Sequence, residues 1–365
     1  MVITFPHLGN AYIAIKALLD GLGIRYVIPP LCNKESVRIG ALYSPEEICL
    51  PFKINMGNYI HSIKQGADTV LITGSCGPCR FGEYCELQAE ILRKLGHDVD
   101  FIVIDKPSDI GFHELLNRIG RIAEGSAKTS LTKLRSLADA VKIMKRMDKL
   151  EAKAHALAGY EKNSGECKRL LNACRAAAEK CGSPKETLEL LHTYDEKLDA
   201  VEIDETKDPV RIAIIGEIYT VIEPFANLYI EEKLMDYGVS TKRRLTPSWW
   251  VDNLVPALFK MFPTKMDKAA GGYLPMDIGG HARECIGETV LAQREGFDGA
   301  IQIFPMGCMP EIVSKSILPA ISREKDFPVM SLVVDEMTGE AGYVTRIEAF
   351  IDLLERRRKN VLSGC

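Results

Sequence analysis

The stretch Thr69-Val70-Leu71-Ile72-Thr73 leads into Gly74-Ser75-Cys76-Gly77-Pro78-Cys79, so an apolar segment of strand length ends in a turn rich in glycine and proline. This pattern is typical of a buried strand in a parallel sheet. Ligand sites of α/β folds form at the carboxyl ends of such strands, which is where this turn carries two thiols. A second apolar run, residues 299–304, leads into Pro305-Met306-Gly307-Cys308 in the same way. The recurrence predicts that thiols from both turns share one site.

The two halves of the chain follow one plan. Residues 2–5, 11–22 and 25–28 have the patterns of a strand, a helix and a strand, and a strand and helix begin again at residue 210. Cys49 precedes a helical segment that ends before Gly66-Ala67-Asp68, and Cys285 precedes one that ends before Gly296-Phe297-Asp298. We therefore predict an internal duplication, an α/β protein with two Rossmann-like lobes that each contain a parallel sheet.

The middle of the chain has a different composition. Residues 113–204 are rich in Ala, Leu, Lys, Glu and Arg and poor in β-branched residues, which favours helices over strands. The predicted organisation is a first lobe over residues 1–112, a helical segment and linker over residues 113–207, and a second lobe over residues 208–365.

Charge and hydropathy limit the classes of partner. The 365 residues carry a net charge of −4 with a pI near 6.1, so no broad basic surface is available for nucleic acid or an anionic membrane. No uninterrupted apolar run reaches the length of a membrane span, and the N-terminal residues lack the pattern of a secretory signal. We expect a cytoplasmic protein without a nucleic-acid or membrane partner.

Eleven cysteines are many for a chain in a reducing compartment, where a disulfide framework is not expected. Metal or redox chemistry would explain some of them, and burial as small apolar side chains would explain others. Cys167, Cys174 and Cys181 recur every seven residues, so on one helix they would be about 10.5 Å apart, too far to share one small metal site. We predict that these three form a core-facing stripe.

The C-x-x-C pattern at Cys76 and Cys79 is compatible with zinc, a redox dithiol or an iron–sulfur cluster. Zinc would need a second local pair of ligands, which the chain lacks, and a redox dithiol should open a helix rather than lie in a glycine-rich loop. Iron–sulfur clusters accept thiolates from separate loops. The candidate ligands are, in this order, Cys49, Cys79 and Cys308, then Cys76 and Cys285.

Several residues near these thiols have open roles. Cys32 and Cys85 are either further ligands or buried thiols, and His281 is a ligand, an acid–base group or a packing residue. Arg80 and Lys53 would offset the charge of a cluster or bind an anionic substrate, with ordinary solvated or paired cations as the alternative. Ser44 with Pro45 indicates a helix that begins before Cys49.

Motifs in both halves resemble a known family. Residues 5–10 (FPHLGN), 44–53 (SPEEICLPFK) and 77–82 (GPCRFG) are similar to the activase-related branch of the 2-hydroxyacyl-CoA dehydratase superfamily, and so are residues 308–311 (CMPE), 335–336 (DE) and 345–350 (TRIEAF). The resemblance covers both lobes and leaves only the helical middle without a recognisable motif.

The resemblance implies two Rossmann-like lobes with an iron–sulfur cluster in the cleft between them. A partner ATPase, the activator, would supply the electrons one at a time, and no phosphate-binding loop in this chain indicates that it hydrolyses nucleotide itself. Dehydratase subunits of this type hold a [4Fe–4S] cluster with three thiolates, and double-cubane proteins hold an [8Fe–9S] cluster with more. By position, the resemblance assigns Cys49, Cys79 and Cys308 as the first three thiolates.

Two functional hypotheses follow. In the first, the chain is an oxygen-sensitive iron–sulfur reductase or dehydratase component, which accepts low-potential electrons from the activator and passes them to a small-molecule substrate. No CoA-binding signature is recognisable, so the substrate stays open. In the second, it is a non-catalytic electron-transfer or assembly partner whose cluster is a relay or a structural element. A zinc-bound α/β protein is a third reading. We also expect the chain to form a dimer.

Overall fold

The computed structural model describes residues 1–74, 79–105, 110–259 and 264–363. Within these ranges the chain forms two parallel sheets, of three and four strands, and fifteen α-helices. The predicted α/β class with two Rossmann-like lobes is confirmed. The chain divides into two compact units: unit 1 comprises Met1–Leu150, Leu171–Lys197 and Thr246–Phe262, and unit 2 comprises Glu151–Leu170, Leu198–Leu245 and Pro263–Cys365.

The sheet of unit 1 contains, in spatial order, β1 (Ile3–Thr4), β2 (Thr69–Thr73) and β3 (Asp100–Ile104), all parallel. Tyr26 forms an isolated parallel bridge with Ile3 on the other edge of β1, where a longer strand was predicted. The helices around this sheet are α1 (Ala11–Leu22), α2 (Lys34–Tyr43), α3 (Leu50–Lys64) and α4 (Tyr84–Lys94), with a 3-10 helix at Arg80–Glu83 before α4.

The helical middle contains α5 (Phe112–Ala123), α6 (Ser130–Leu157), α7 (Glu166–Ala178) and α8 (Pro184–Asp199). In unit 2 the strands are β4 (Arg211–Gly216), β5 (Ser240–Arg243), β6 (Gly299–Pro305) and β7 (Val329–Val334). The helices of the second half are α9 (Ile218–Ile222), α10 (Ile230–Asp236), α11 (Pro247–Phe259), α12 (Lys265–Ala270), α13 (Ala282–Arg294), α14 (Met309–Lys325) and α15 (Glu340–Ser363).

Both sheets have the same strand order. Unit 2 is ordered β5-β4-β6-β7, and unit 1 has the Tyr26 bridge followed by β1, β2 and β3, so each sheet runs second, first, third, fourth along the chain. Every residue of β6 is buried, as expected for a parallel strand covered on both faces. In such a sheet the strand order reverses between the first and third strands. Ligands bind at the carboxyl ends of these two strands. The carboxyl ends of β2 and β6 are at these points.

A close helix pair precedes the third strand of each sheet. A Cβ at Gly57 of α3 would lie 1.9 Å from the carbonyl oxygen of Ser36 in α2, and a Cβ at Gly287 of α13 would lie 2.3 Å from that of Met266 in α12. Only glycine permits such an approach of two backbones. Gly57 and Gly287 each stand nine residues before the glycine that ends the helix, Gly66 and Gly296 respectively. The repeated offset supports the predicted internal duplication.

None of the helices in the described ranges is long and apolar enough to cross a membrane.

Candidate functional site

Two of the predicted ligand thiols stand at the start of a helix. Cys49 is the N-cap of α3 and Cys308 is the N-cap of α14, both with extended backbone. A proline follows two residues later, in the first turn, where its missing N–H removes no helical hydrogen bond. The first N–H groups of a helix have no partner within it, so this end favours a negative charge. Both positions therefore suit a thiolate.

The start of α3 corrects a prediction. Ser44 with Pro45 was expected to begin a helix before Cys49, but Ser44 is the C-cap of α2. Residues 45–49 form the connection, and the first helical residue is Leu50, so Cys49 precedes this helix as predicted. A proline is favoured in the first turn of a helix and is also common just after a helix ends, and Pro45 is the second case.

Cys79 lies in the turn that follows β2. It precedes the 3-10 helix, and its carbonyl oxygen accepts a hydrogen bond from the N–H of Gly82 at 3.1 Å. Cys79 and Cys49 are both half-buried, and Cys308 is 9% exposed. Cys76, the other cysteine of the C-x-x-C pattern, lies outside the described residues.

Arg80 connects the Cys79 turn to the segment that leads to Cys49. Its Nη1 donates a hydrogen bond to the carbonyl oxygen of Glu47 at 2.8 Å. Arg80 directly follows Cys79, and Glu47 stands two residues before Cys49. Within unit 1, the structure therefore brings the chain segments of two predicted ligands together.

Lys53 acts on the same segment. Its Nζ donates to the carbonyl oxygen of Glu46 at 2.8 Å, and the residue is only 3% exposed. Two cations thus bind two consecutive carbonyl groups just before Cys49. Their predicted contact with a cofactor or an anionic substrate stays a prediction, and their visible role is to fix this segment.

Tyr84, at the start of α4, contacts Cys49 directly. The phenolic Oη is 2.6 Å from the Cys49 Sγ, and the side chain is almost fully buried. The rings of Phe52 and Phe81 pack edge-to-face against it, with centroids 5.0 Å and 5.1 Å away. Sequence reasoning missed Tyr84. Its place five residues after Cys79 was the one available signal, and spacing alone does not show that the ring points at another helix.

In unit 2, Cys285 is not placed as the sequence suggested. It was expected to precede a helix, but α13 begins at Ala282 and contains Cys285, whose thiol is fully buried in an apolar cluster with Ile286 and Phe297. Burial, followed by the neighbouring Glu311 carboxyl, raises the pKa of the Cys285 thiol well above its usual range. This environment favours the protonated thiol. Its role as an additional ligand stays a prediction.

His281, rather than Cys285, is the N-cap of α13. The segment before it packs on the start of α14, because a Cβ at Gly280 would lie 2.5 Å from the Cγ of Pro310. Gly280 has φ +62°, a conformation that also favours glycine. The His281 segment therefore lies beside the turn of Cys308 within unit 2.

Two carboxyl groups of unit 2 are buried near these segments. Glu311, three residues after Cys308, accepts a hydrogen bond from Nε2 of Gln302 at 2.8 Å. Glu288 accepts from the backbone N–H of Arg244 at 2.9 Å. Burial raises the pKa of each carboxyl to about 8, so both are largely protonated at neutral pH.

The other cysteines that the structure describes are buried or half-buried. Cys167 and Cys174 of α7 are fully buried, as the predicted stripe requires, and burial raises the pKa of each thiol to about 12. Cys181 follows the end of α7 and is half-buried. Cys32 is buried and accepts a hydrogen bond from Asn58, and Cys85 is half-buried with a pKa raised by desolvation.

The donor types agree with a thiolate-bound cluster. Cys49 and Cys308 stand at helix N-termini and Cys79 at the start of the 3-10 helix, and Cys49 already contacts a hydrogen-bond donor of the kind that stabilises cluster sulfur. Among the residues that the structure describes, no group of three or more His, Cys, Asp and Glu side chains is arranged to hold a metal ion.

Comparison with known proteins identifies a family. The model of a family described as 2-hydroxyglutaryl-CoA dehydratase, D-component, matches residues 16–354. This range includes both helix pairs and every cysteine discussed above. A search of the curated proteins found no match.

Proposed function

Because this chain belongs to the 2-hydroxyglutaryl-CoA dehydratase D-component family, we propose that it is an iron–sulfur component that accepts low-potential electrons from an ATP-dependent activator. It would use them to reduce or dehydrate a small-molecule substrate. The observation that carries the proposal is the placement of Cys49 and Cys308 at helix N-termini, where Cys308 stands three residues after the end of β6 and Arg80, next to Cys79, binds the segment that leads to Cys49. A cysteine that only packs as a small apolar side chain would gain nothing from a helix N-terminus.

Thiolates of Cys49, Cys79 and Cys308 are the proposed ligands. Three thiolates suit a [4Fe–4S] cluster, and additional ligation by Cys76 and Cys285 would suit an [8Fe–9S] cluster. The apolar surroundings of Cys285 favour its protonated form, which supports the smaller set. When bound, the cluster would supply one-electron chemistry at low potential.

The protein's own residues fix the proposed ligands in position. Arg80 and Lys53 hold the two carbonyl groups that precede Cys49. The N-terminal ends of α3 and α14 stabilise negative charge on the sulfur atoms of Cys49 and Cys308. Because both of these side-chain contacts are made within the polypeptide, they orient the segment that carries Cys49.

The test is anaerobic purification followed by quantitation of iron and acid-labile sulfide, with EPR of the reduced protein. We expect about four irons per chain for a [4Fe–4S] cluster and about eight for the larger cluster. Zinc without iron would support the zinc reading and overturn the proposal. A cluster whose EPR signal is unchanged by candidate 2-hydroxyacyl-CoA esters would support the electron-transfer alternative.

The ligand set is tested by Cys49→Ala, Cys79→Ala and Cys308→Ala. Each should lower the iron content severalfold, because each removes one of three proposed bonds to the cluster. Cys181→Ala is a matched control, since this thiol is also half-buried and donates to the carbonyl oxygen of Ala177 at 3.7 Å. Full iron content in all three ligand variants would overturn the assignment.

A further inference from the structure

The contact between Tyr84 and Cys49 joins a phenol to a proposed ligand. The Oη–Sγ distance is 2.6 Å, and Tyr84 is 3% exposed. Either atom can donate while the sulfur carries a proton. A thiolate has no proton, so once the sulfur of Cys49 ligates iron, only the phenolic O–H can donate.

The position of the phenol is fixed by packing rather than by the contact alone. Phe52 of α3 and Phe81 of the 3-10 helix both meet the Tyr84 ring edge-to-face. These three rings belong to or border an apolar cluster that also contains Met56 and Leu92. The O–H is therefore held against the sulfur without a large loss of side-chain freedom when the bond forms.

We propose that Tyr84 is a positioning residue that raises the reduction potential of the cluster by donating a hydrogen bond to the sulfur of Cys49. The inference rests on the proposed function, because it assumes that Cys49 is a ligand. Added electron density on a cluster is shared by its sulfur ligands, so a donor to one of them stabilises the reduced form more than the oxidised form. Burial of the Tyr84 side chain strengthens the effect, because a hydrogen bond is electrostatically stronger in surroundings of low dielectric constant.

Unit 1 offers a matched control in Tyr59. Its side chain is also fully buried, and among the described residues its phenolic oxygen has no hydrogen-bond partner. Tyr59→Phe and Tyr84→Phe thus remove the same atom from similarly buried rings. They differ in whether that atom contacts a proposed ligand.

The experiment is a redox titration, followed by EPR, of the cluster-loaded protein and the two variants at equal iron content. For Tyr84→Phe we expect the ratio of reduced to oxidised cluster at a fixed potential to fall about tenfold, equivalent to a shift of about 59 mV to more negative potential for one electron. Tyr59→Phe should leave the potential unchanged. Equal potentials in wild type and Tyr84→Phe would overturn the inference.

A second variant covers the case in which Tyr84→Phe loads no cluster. Replacement of Tyr84 by 3-fluorotyrosine keeps the ring and the O–H but makes the phenol a stronger donor, so the potential should become more positive. An unchanged or more negative potential would overturn the inference. Wild-type protein that binds no iron would overturn the proposed function and this inference with it, whereas a loaded wild type that responds to neither change at position 84 would overturn the inference alone.

Discussion

The two units repeat one backbone plan and fill it with different polar side chains. Both have the same strand order, and both hold a helix pair together at a glycine, Gly57 or Gly287. The second helix of the pair begins after Cys49 in unit 1 and after His281 in unit 2. The close contact between the paired helices is thus the same in both units. The side chain at the start of the second helix differs, a thiol in unit 1 and an imidazole in unit 2.

A buried position shows the same contrast. Eight residues before the glycine that ends the helix, unit 1 has Asn58 and unit 2 has Glu288, and both side chains are buried. Asn58 accepts a hydrogen bond from the hydroxyl of Ser36 at 2.6 Å. Glu288 binds the backbone N–H of Arg244, while within the described residues its Oε2 has no hydrogen-bond partner. One unit has a neutral amide here, and the other has a titratable acid.

The largest expected effect tests the shared helix pairs. Gly57→Ala and Gly287→Ala should each lower the free energy of unfolding by about 3 kcal/mol or more, because the new Cβ would overlap a backbone carbonyl oxygen of the neighbouring helix. Denaturant unfolding would measure both. Gly120→Ala in α5 is the control, since a Cβ there meets no atom of the described residues within 4 Å and should raise stability by about 0.5–1 kcal/mol. A loss of stability in only one of these two variants would show that the two helix pairs are not equivalent.

The next effect concerns Glu288 and pH. Its carboxyl pKa is about 8 in the folded protein, because of burial, and 4.5 is the ordinary value. Between these values the folded state keeps a proton that the unfolded state releases, so the free energy of unfolding falls as pH rises, by about 1.4 kcal/mol per pH unit for this group. Glu288→Gln removes this slope. Between pH 5.5 and 7.5 the wild type should therefore lose about 2–3 kcal/mol more than the variant.

Unfolding curves at the two pH values would test this prediction. Glu295→Gln is the control, because this carboxylate is partly exposed and pairs with Lys242 at 2.9 Å. It should leave the pH dependence over this range unchanged. Parallel curves for the wild type and Glu288→Gln would show that Glu288 is ionised in the folded protein, and the contrast with Asn58 would then be smaller than the structure indicates.

The corresponding change in unit 1 should be smaller and independent of pH. Ser36→Ala removes the hydroxyl that donates to Oδ1 of Asn58, so we expect a loss of about 1–2 kcal/mol from a buried acceptor without its donor. The loss should be equal at pH 5.5 and 7.5, since neither side chain titrates in that range. A loss that varies with pH would point to a titratable group at this position in unit 1 as well.

The smallest expected effect concerns the first helix of each pair. Asn33 caps α2 by accepting from the N–H groups of Glu35 and Ser36, and Thr264 caps α12 in a capping box with Asp267. Asn33→Ala and Thr264→Ala should each cost about 1 kcal/mol, measured as a shift in the denaturant midpoint. Unequal losses would show that the two helices depend on their caps to different extents.

Much of the fold was predictable because its signals are local. Apolar runs such as residues 69–73 and 299–304 end in glycine-rich turns, and the structure has β2 and β6 there. The helix expected to begin at Ser44 was wrong, because a proline also commonly follows the end of a helix, and Ser44 is the C-cap of α2. The placement of Cys285 inside α13 was also missed, because the sequence does not distinguish a cysteine that is buried within a helix from one that precedes it.

The surroundings of the candidate site depend on contacts between distant parts of the chain. Tyr84 touches Cys49 across 35 residues, and Arg80 reaches the carbonyl of Glu47 across 33. No periodicity or spacing rule connects such pairs, because they meet only after α3 and α4 have packed. The sequence therefore indicated the candidate thiols and the neighbouring cations Arg80 and Lys53, but not Tyr84 and none of the contacts that these three side chains make.

The binding of the Glu46 and Glu47 carbonyls by Lys53 and Arg80 also determines when this connecting segment becomes ordered. Its conformational entropy is lost when unit 1 folds, so a ligand that bound at Cys49 would not have to order it. Small zinc domains are the opposite case, since they stay unfolded until the metal binds. The free-energy cost of ordering residues 46 and 47 thus belongs to the folding of unit 1 and not to the binding of a ligand.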